Sequence, residues 1–230
     1  MDDGGYRLLV RVAVVLTAAW VLWMLYDSLL TPQRLESMPM EAAFRYLEDE
    51  QYEAALREYD AMLERDPRLV PALRGRAQAL MQLGARSAVR ADALDDEGRT
   101  ADAYASRYEA DRYYEDALAA YDEAIRLEKA GGVDESRRTA LGVSYANRGI
   151  LKDRMGDYRG ALADYERSIA LEPEVAEGPG FLTRFLRNQP EKPPAVDDRA
   201  AYLREQLAKP ESERVLRRSE EDARQRAYKL

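Results

Sequence analysis

The side chains that most often do chemistry are missing from this sequence. It has no His and no Cys, which removes the commonest general base, the commonest metal ligand, the thiol nucleophile and any disulfide. What remains are carboxylate pairs: Asp95-Asp96, Asp197-Asp198 and Glu220-Glu221. Neighbouring residues on a helix point about 100° apart, and no Gly-bearing calcium loop stands beside these pairs, so they read as helix caps or solvated surface. Gly131-Gly132 is not followed by Lys-Ser/Thr, so it is no phosphate loop. The expectation is a non-enzyme, with no catalytic, cofactor-binding or metal-ligating residue and no cofactor.

Charge narrows the partners. Arg outnumbers Lys by 30 to 5, and the whole chain carries a formal charge of -8. From Leu35 to Glu177 there are 20 basic against 31 acidic residues, a balance of -11; from Gly178 onward there are 12 against 9, a balance of +3. An acidic body repels nucleic acid and anionic headgroups, which points to a protein or peptide partner and away from nucleic acid. The 15 Tyr could form a stacking surface for bases, but most fall at positions that pack helices.

Those elements show most clearly in the stretch from Gly142 to Pro173. Tyr145, Gly149, Tyr158, Ala161, Tyr165, Ser168 and Ile169 recur at helical spacing on either side of a Gly156-Asp157 break, so two short helices turn back on each other. Gly149 and Ala161 belong where the backbones cross, since only small side chains let helices approach to about 8 Å. The order recurs as Tyr52, Ala55, Leu56, Tyr59, Met62, Leu63 and as Tyr114, Ala117, Leu118, Tyr121, Ala124, Ile125. Twelve residues before each Ala stands another small residue: Ala43, Ala105 and Gly149. The packing set is therefore Ala43, Ala55, Tyr59, Ala105, Ala117, Tyr121, Gly149, Ala161 and Tyr165. This pattern resembles the tetratricopeptide repeat, a helix-turn-helix unit with small residues at its crossing.

Repeat boundaries are expected at 36–69, 98–128 and 142–175, with a degenerate unit at 70–97 whose first helix ends at Leu83-Gly84 and whose second has lost the signature. An insertion is expected over Lys129 to Arg138. Before the array, Leu8 to Tyr26 is apolar except for Arg11 and Thr17. Nineteen helical residues span about 28 Å, enough to cross a bilayer within an anchor over 8–30, after a tail over 1–7. Arg11 can snorkel to the headgroups, while Trp20, Trp23 and Tyr26 form an aromatic belt and Thr31-Pro32 stops the helix. A cleaved signal peptide competes, but LYDSLLTPQ lacks a small-x-small cleavage pattern. Arg7 and Arg11 before the span, against Arg34 after it, place the N-terminus in the cytoplasm and the repeats in the periplasm of a bacterial inner membrane.

After Pro173 the pattern stops. The segment 178–230 is expected to hold a short helix over Phe181 to Arg187, a Pro-rich link to Pro194, a helix capped by Asp197-Asp198 that closes the array, and another from Pro210. The fold class is thus all-α: an N-terminal membrane helix, a helical array and a C-terminal helical cap. Resemblance to tetratricopeptide proteins implies a right-handed superhelix whose concave wall takes peptides or partner helices. By residue matching that wall comprises Glu41, Phe44, Glu48, Arg74, Gln78, Met81, Asn147, Ile150 and Arg154. The function implied is a membrane-anchored module that docks a partner protein at the bilayer. The alternative is a constitutive structural subunit of a membrane complex.

Overall fold

A computed structural model describes residues 3–30, 32–132, 135–173 and 195–217 of the chain, with side chains from 11–26, 39–132, 137–173 and 195–217. Among the described residues the chain is all-helical, with eight α-helices and no strand. They are α1 (Asp3–Leu30), α2 (Pro32–Glu48), α3 (Tyr52–Arg65), α4 (Val70–Asp96), α5 (Thr100–Ala130), α6 (Glu135–Arg154), α7 (Tyr158–Leu171) and α8 (Val196–Ala208). The expected short helix over Phe181 to Arg187, its Pro-rich link and the tail from Ser219 lie outside the described residues.

Three antiparallel hairpins, α2/α3, α4/α5 and α6/α7, form the body, and each helix packs chiefly on its neighbours in sequence. All three close with the same turn. In the last, Asp157 N donates to Lys152 O and Gly156 N to Asp153 O; in the middle one, Arg99 N donates to Leu94 O and Gly98 N to Asp95 O. Gly98 and Gly156 sit at φ +74° and +82°, the left-handed region where a Cβ is penalised. In the first hairpin Glu50 takes that conformation at φ 58°.

The middle hairpin departs from expectation. Leu83-Gly84 is no turn, and no break precedes Tyr114: α4 and α5 run unbroken for 27 and 31 residues. Gly84 instead lies under Tyr114, whose ring a Cβ would meet at 2.6 Å. Ala91 and Ala103, 12 residues apart and both at 0% exposure, stand where Ala43/Ala55 and Gly149/Ala161 stand, and the same seam runs on to Ala77 and Ala117, also at 0% and 40 residues apart. The 28 extra residues, 14 per helix, lengthen one hairpin instead of making a separate repeat. Fourteen residues are close to four whole turns, about 14.4, so both helices keep their inward faces through the extension. Ion pairs mark its length: Arg74–Glu128 at 2.8 Å at the base, Arg107 with Asp95 near the tip.

This continuity displaces Ala105. Counting back from the buried Tyr121 and Ala117 in helical steps reaches Ala110, Ser106 and Ala103, all buried, whereas Ala105 points to solvent. The other expected packing residues are interior: Ala43, Ala55, Ala117, Ala161 and Tyr165 at 0% exposure, Tyr59 and Tyr121 at 1%, with Gly149 buried. The expected insertion at Lys129 to Arg138 is largely taken up by longer helices, since α5 runs to Ala130 and α6 starts at Glu135.

At the C-terminal end α8 packs on α7, with Val196, Ala200 and Leu203 joining the central apolar cluster. Asp197 and Asp198 lie in its first turn rather than at the cap, which is Ala195 without a side-chain bond. Pro210 begins a short 3-10 turn, Glu211–Glu213, and not a helix. The chain then folds back along α8, where Tyr202 OH donates to Val215 O at 2.6 Å and Val215 N to Gln206 Oε1 at 3.0 Å.

At the other end α1 stands apart: every described side chain from Arg11 to Tyr26 is exposed, and its neighbour is α2. Among the described residues no helix is long and apolar enough to cross a membrane; α1 contributes only positions 11–26. Helix α2 begins at Pro32, before the repeat boundary expected at 36, and contains Pro39. Pro32 at the first helical position is compatible with a helix start, whereas Pro39 inside the helix lacks the N–H of an internal hydrogen bond.

Candidate interaction surface

The residues matched to an inner wall divide into an open group and a buried one. At the N-terminal hairpin Glu41 and Glu48 are exposed and Phe44 is half-buried. Met40, Glu41, Phe44 and Arg45 line an open cleft of about 600 Å³. Consecutive turns of α2 position them: Ala43 and Leu47 face α3 and are buried, which turns Glu41, Phe44, Arg45 and Glu48 outward. Glu41 and Arg45 frame the Phe44 ring, which gives this cleft apolar contact with charged edges.

Toward the middle and end of the array the wall closes. Met81 and Ile150 are at 0% exposure inside the central cluster, with Tyr114, Tyr121 and Leu203. Asn147, at 3%, turns its amide to the Tyr121 hydroxyl, a group that burial pushes well above its ordinary range. These three are core residues and offer nothing to a partner. The residue matching assumed two-helix repeats with an open inner face. Here apolar side chains worth about 2 kcal/mol each find cover from α5 and α8.

Arg74 is likewise structural. Its Nη1 donates to Glu128 Oε1 at 2.8 Å, with side chains 17% and 6% exposed, and Ser144 Oγ donates to the other Glu128 oxygen at 3.1 Å. Burial pushes the Glu128 carboxyl up, while Arg74 and Ser144 pull it back. The trio joins α4, α5 and α6. Gln78 and Arg154 are half-buried, and the Arg154 charge acts on the Tyr114 and Tyr121 hydroxyls.

A second polar centre lies between α6 and α7. Asp164, at 0% exposure, accepts from Arg148 at 2.7 Å, Lys152 at 2.8 Å and Arg167 at 3.0 Å. Burial pushes its carboxyl up, but the bonds from Arg148 and Lys152 outweigh burial and hold it below 3.8. Arg148 and Arg167 also lie over the Tyr145 ring, at 5.3 and 5.6 Å. With every acceptor matched by a cation, this centre locks the hairpin and leaves no reactive group.

Exposed aromatics on the middle hairpin escaped the sequence reading. Tyr104 and Tyr108 are 72% and 61% exposed, and Tyr108 borders a cleft of about 320 Å³ with Glu109, Arg112, Tyr113 and Asp116. A signal was present: small and aromatic residues of α5 recur on two opposite faces, Ala103/Ser106/Ala110 and Ala101/Tyr104/Ala105/Tyr108. Among the described residues no group of three or more Asp and Glu side chains gathers as for a metal. Comparison with known proteins returns no matching family model, no matching curated protein and no matching solved structure.

Proposed function

We propose that this chain is a membrane-tethered docking module of tetratricopeptide type: α1 anchors it in a bacterial inner membrane and the hairpin array holds a partner protein or peptide there. One observation carries the reading. The large apolar side chains of α1 from Val12 to Tyr26 are all 43–66% exposed, a continuous run, whereas exposed large hydrophobics in the body are few and scattered. Apolar surface facing water costs about 25 cal/mol per Å², and a bilayer removes that cost for a helix whose own domain leaves it uncovered. Trp20, Trp23 and Tyr26 then sit at the interface beside α2, while Arg11 reaches the opposite headgroups. The cleft of Met40, Glu41, Phe44 and Arg45 comes next in the chain, so a partner held there lies close to the bilayer.

Three measurements test the reading. The full chain should resist extraction from membranes by alkaline carbonate; an alkaline phosphatase fused after Leu230 should be active and a fluorescent protein there dark. Extraction by carbonate removes the anchor, and the reverse fusion pattern puts the array in the cytoplasm. Affinity capture from native membranes with Glu41→Ala/Phe44→Ala should lose a partner that wild type retains, at unchanged melting temperature. Stoichiometric comigration of both wild type and variant with one large assembly would favour a constitutive subunit instead.

A further inference from the structure

Past Lys209 the chain turns through Glu211–Glu213 and runs back along α8, antiparallel to it and extended, with Arg214 at φ -77° and ψ 128°. Side chains on successive turns of α8 hold the backbone of this returning segment. Gln206 Oε1 accepts from Val215 N at 3.0 Å, Tyr202 OH donates to Val215 O at 2.6 Å and Arg199 Nη2 donates to Leu216 O at 2.9 Å. Steps of three and four residues keep 199, 202 and 206 on one helical face. The segment's own side chains alternate as in a strand: Leu216 packs against the central apolar cluster to which Val196, Ala200 and Leu203 belong, while Val215, at 60%, and Arg217 are exposed.

We infer that this face of α8 is a peptide-docking site that the chain closes on itself: residues 214–217 are an internal ligand, and the partner that fits is an extended segment with a large aliphatic residue at the Leu216 position. Main-chain hydrogen bonds joined to one apolar anchor are how extended peptides are recognised. The bonds to 215 and 216 use backbone atoms alone, so another chain can make them in the same way. The receiving side is built without the segment. Arg199 is clamped by both oxygens of Asp153, at 2.7 and 2.8 Å, and Asp153 also accepts the Tyr165 hydroxyl at 3.1 Å, so the donor stays in place when the segment leaves. The returning side is lightly held. Glu211, Ser212, Glu213, Val215 and Arg217 are exposed, and Arg214 donates back to Lys209 O and Leu207 O, which shapes the turn. A segment that buries so little opens at low cost. The site lies at the C-terminal end of the array, away from the Phe44 cleft, so its failure would leave that docking reading untouched.

A fluorescent synthetic peptide of residues 209–217 is the probe, added to the full chain in detergent and followed by anisotropy. A site open about a tenth of the time or less binds at least about tenfold more weakly than its open form. Leu216→Asp in the chain should free the site and tighten peptide binding by that factor. Val215→Pro is a milder opening, since it removes the N–H given to Gln206 while the extended Arg214 accepts a following proline. Adding Tyr202→Phe/Gln206→Leu to either opened chain should weaken the peptide at least about tenfold with unchanged melting. Arg199 stays native there because it also holds Asp153. A peptide carrying Leu216→Asp should not bind the opened chains. Three results overturn the site: no peptide binding by the opened, folded chains; wild type binding as tightly as they do; or binding that ignores Tyr202→Phe/Gln206→Leu.

Discussion

Replacing Gly149 by Ala tests the crossing at which α6 meets α7. A Cβ built there would stand 2.6 Å from both Cδ1 and Cε1 of Tyr165 and 3.3 Å from Ala161 O. Tyr165 cannot swing aside freely, because it is at 0% exposure and its hydroxyl donates to Asp153 Oδ2 at 3.1 Å. Overpacking of this kind costs about 1–3 kcal/mol. Losing a hydrogen bond to a buried carboxylate adds about 1.5–3 kcal/mol if the ring moves far enough to break it. Against this stands the helix preference of Ala over Gly, about 1 kcal/mol. About 2 kcal/mol for overpacking and about 1 for a stretched but unbroken hydrogen bond, less about 1 for helix preference, leave a net loss of about 2 kcal/mol. For a body of this size that corresponds to a fall of about 4–8 °C in melting temperature, read by circular dichroism on the full chain in detergent. A second background isolates the cause. With Tyr165→Leu already present the ring is gone, so Gly149→Ala should be neutral or stabilising, and the two changes should couple by about 1–3 kcal/mol. Equal effects of Gly149→Ala in the two backgrounds, or a gain in wild type, would refute the argument that a trapped ring dictates glycine here.

Two further outcomes follow from the buried charges. Arg199 of α8 grips Asp153 of α6 through Nε and Nη2 at 2.7 and 2.8 Å, both side chains nearly sealed at 7% and 5% exposure; Arg199→Ala strands the carboxylate at a cost of about 3–5 kcal/mol. Hydrogen exchange should then show loss of protection over 196–208 with 52–65 unchanged, and a still-protected α8 would mean the pair does not hold it. For Asp164 the folded carboxyl lies below its ordinary 3.8, so the ionised form stabilises the fold. Its contribution is complete above 3.8 and fades as pH falls through the lower folded value. Asp164→Asn should therefore be clearly less stable than wild type in urea at neutral pH, with the gap closing in acid below 3.8; a gap that widens in acid contradicts the assigned sign.

The amino-acid sequence by itself determined the helical class and the small-against-large crossings. Ala43 with Tyr59 and Gly149 with Tyr165 are local matters of helical period and side-chain size, within reach of one hairpin. It also determined the apolar character of α1, since that face packs on nothing in the body. Phase and partnership were decided only in three dimensions. Ala105 matched the repeat spacing, yet α5 continues unbroken through Tyr113, and Ala110 and Ala103 take the inward side. A helix with apolar residues on both faces does not announce which one its neighbour will cover. The inner wall shows the same limit: Met81, Asn147 and Ile150 stood at wall positions by spacing, but α5 and α8 arrive from distant sequence to bury them. Arg74 looked like a free groove cation until Glu128, 54 residues on, came within 2.8 Å. Spacing along a chain fixes which side of a helix a residue occupies; whether that side meets water, a carboxylate or another helix depends on contacts made across tens of residues.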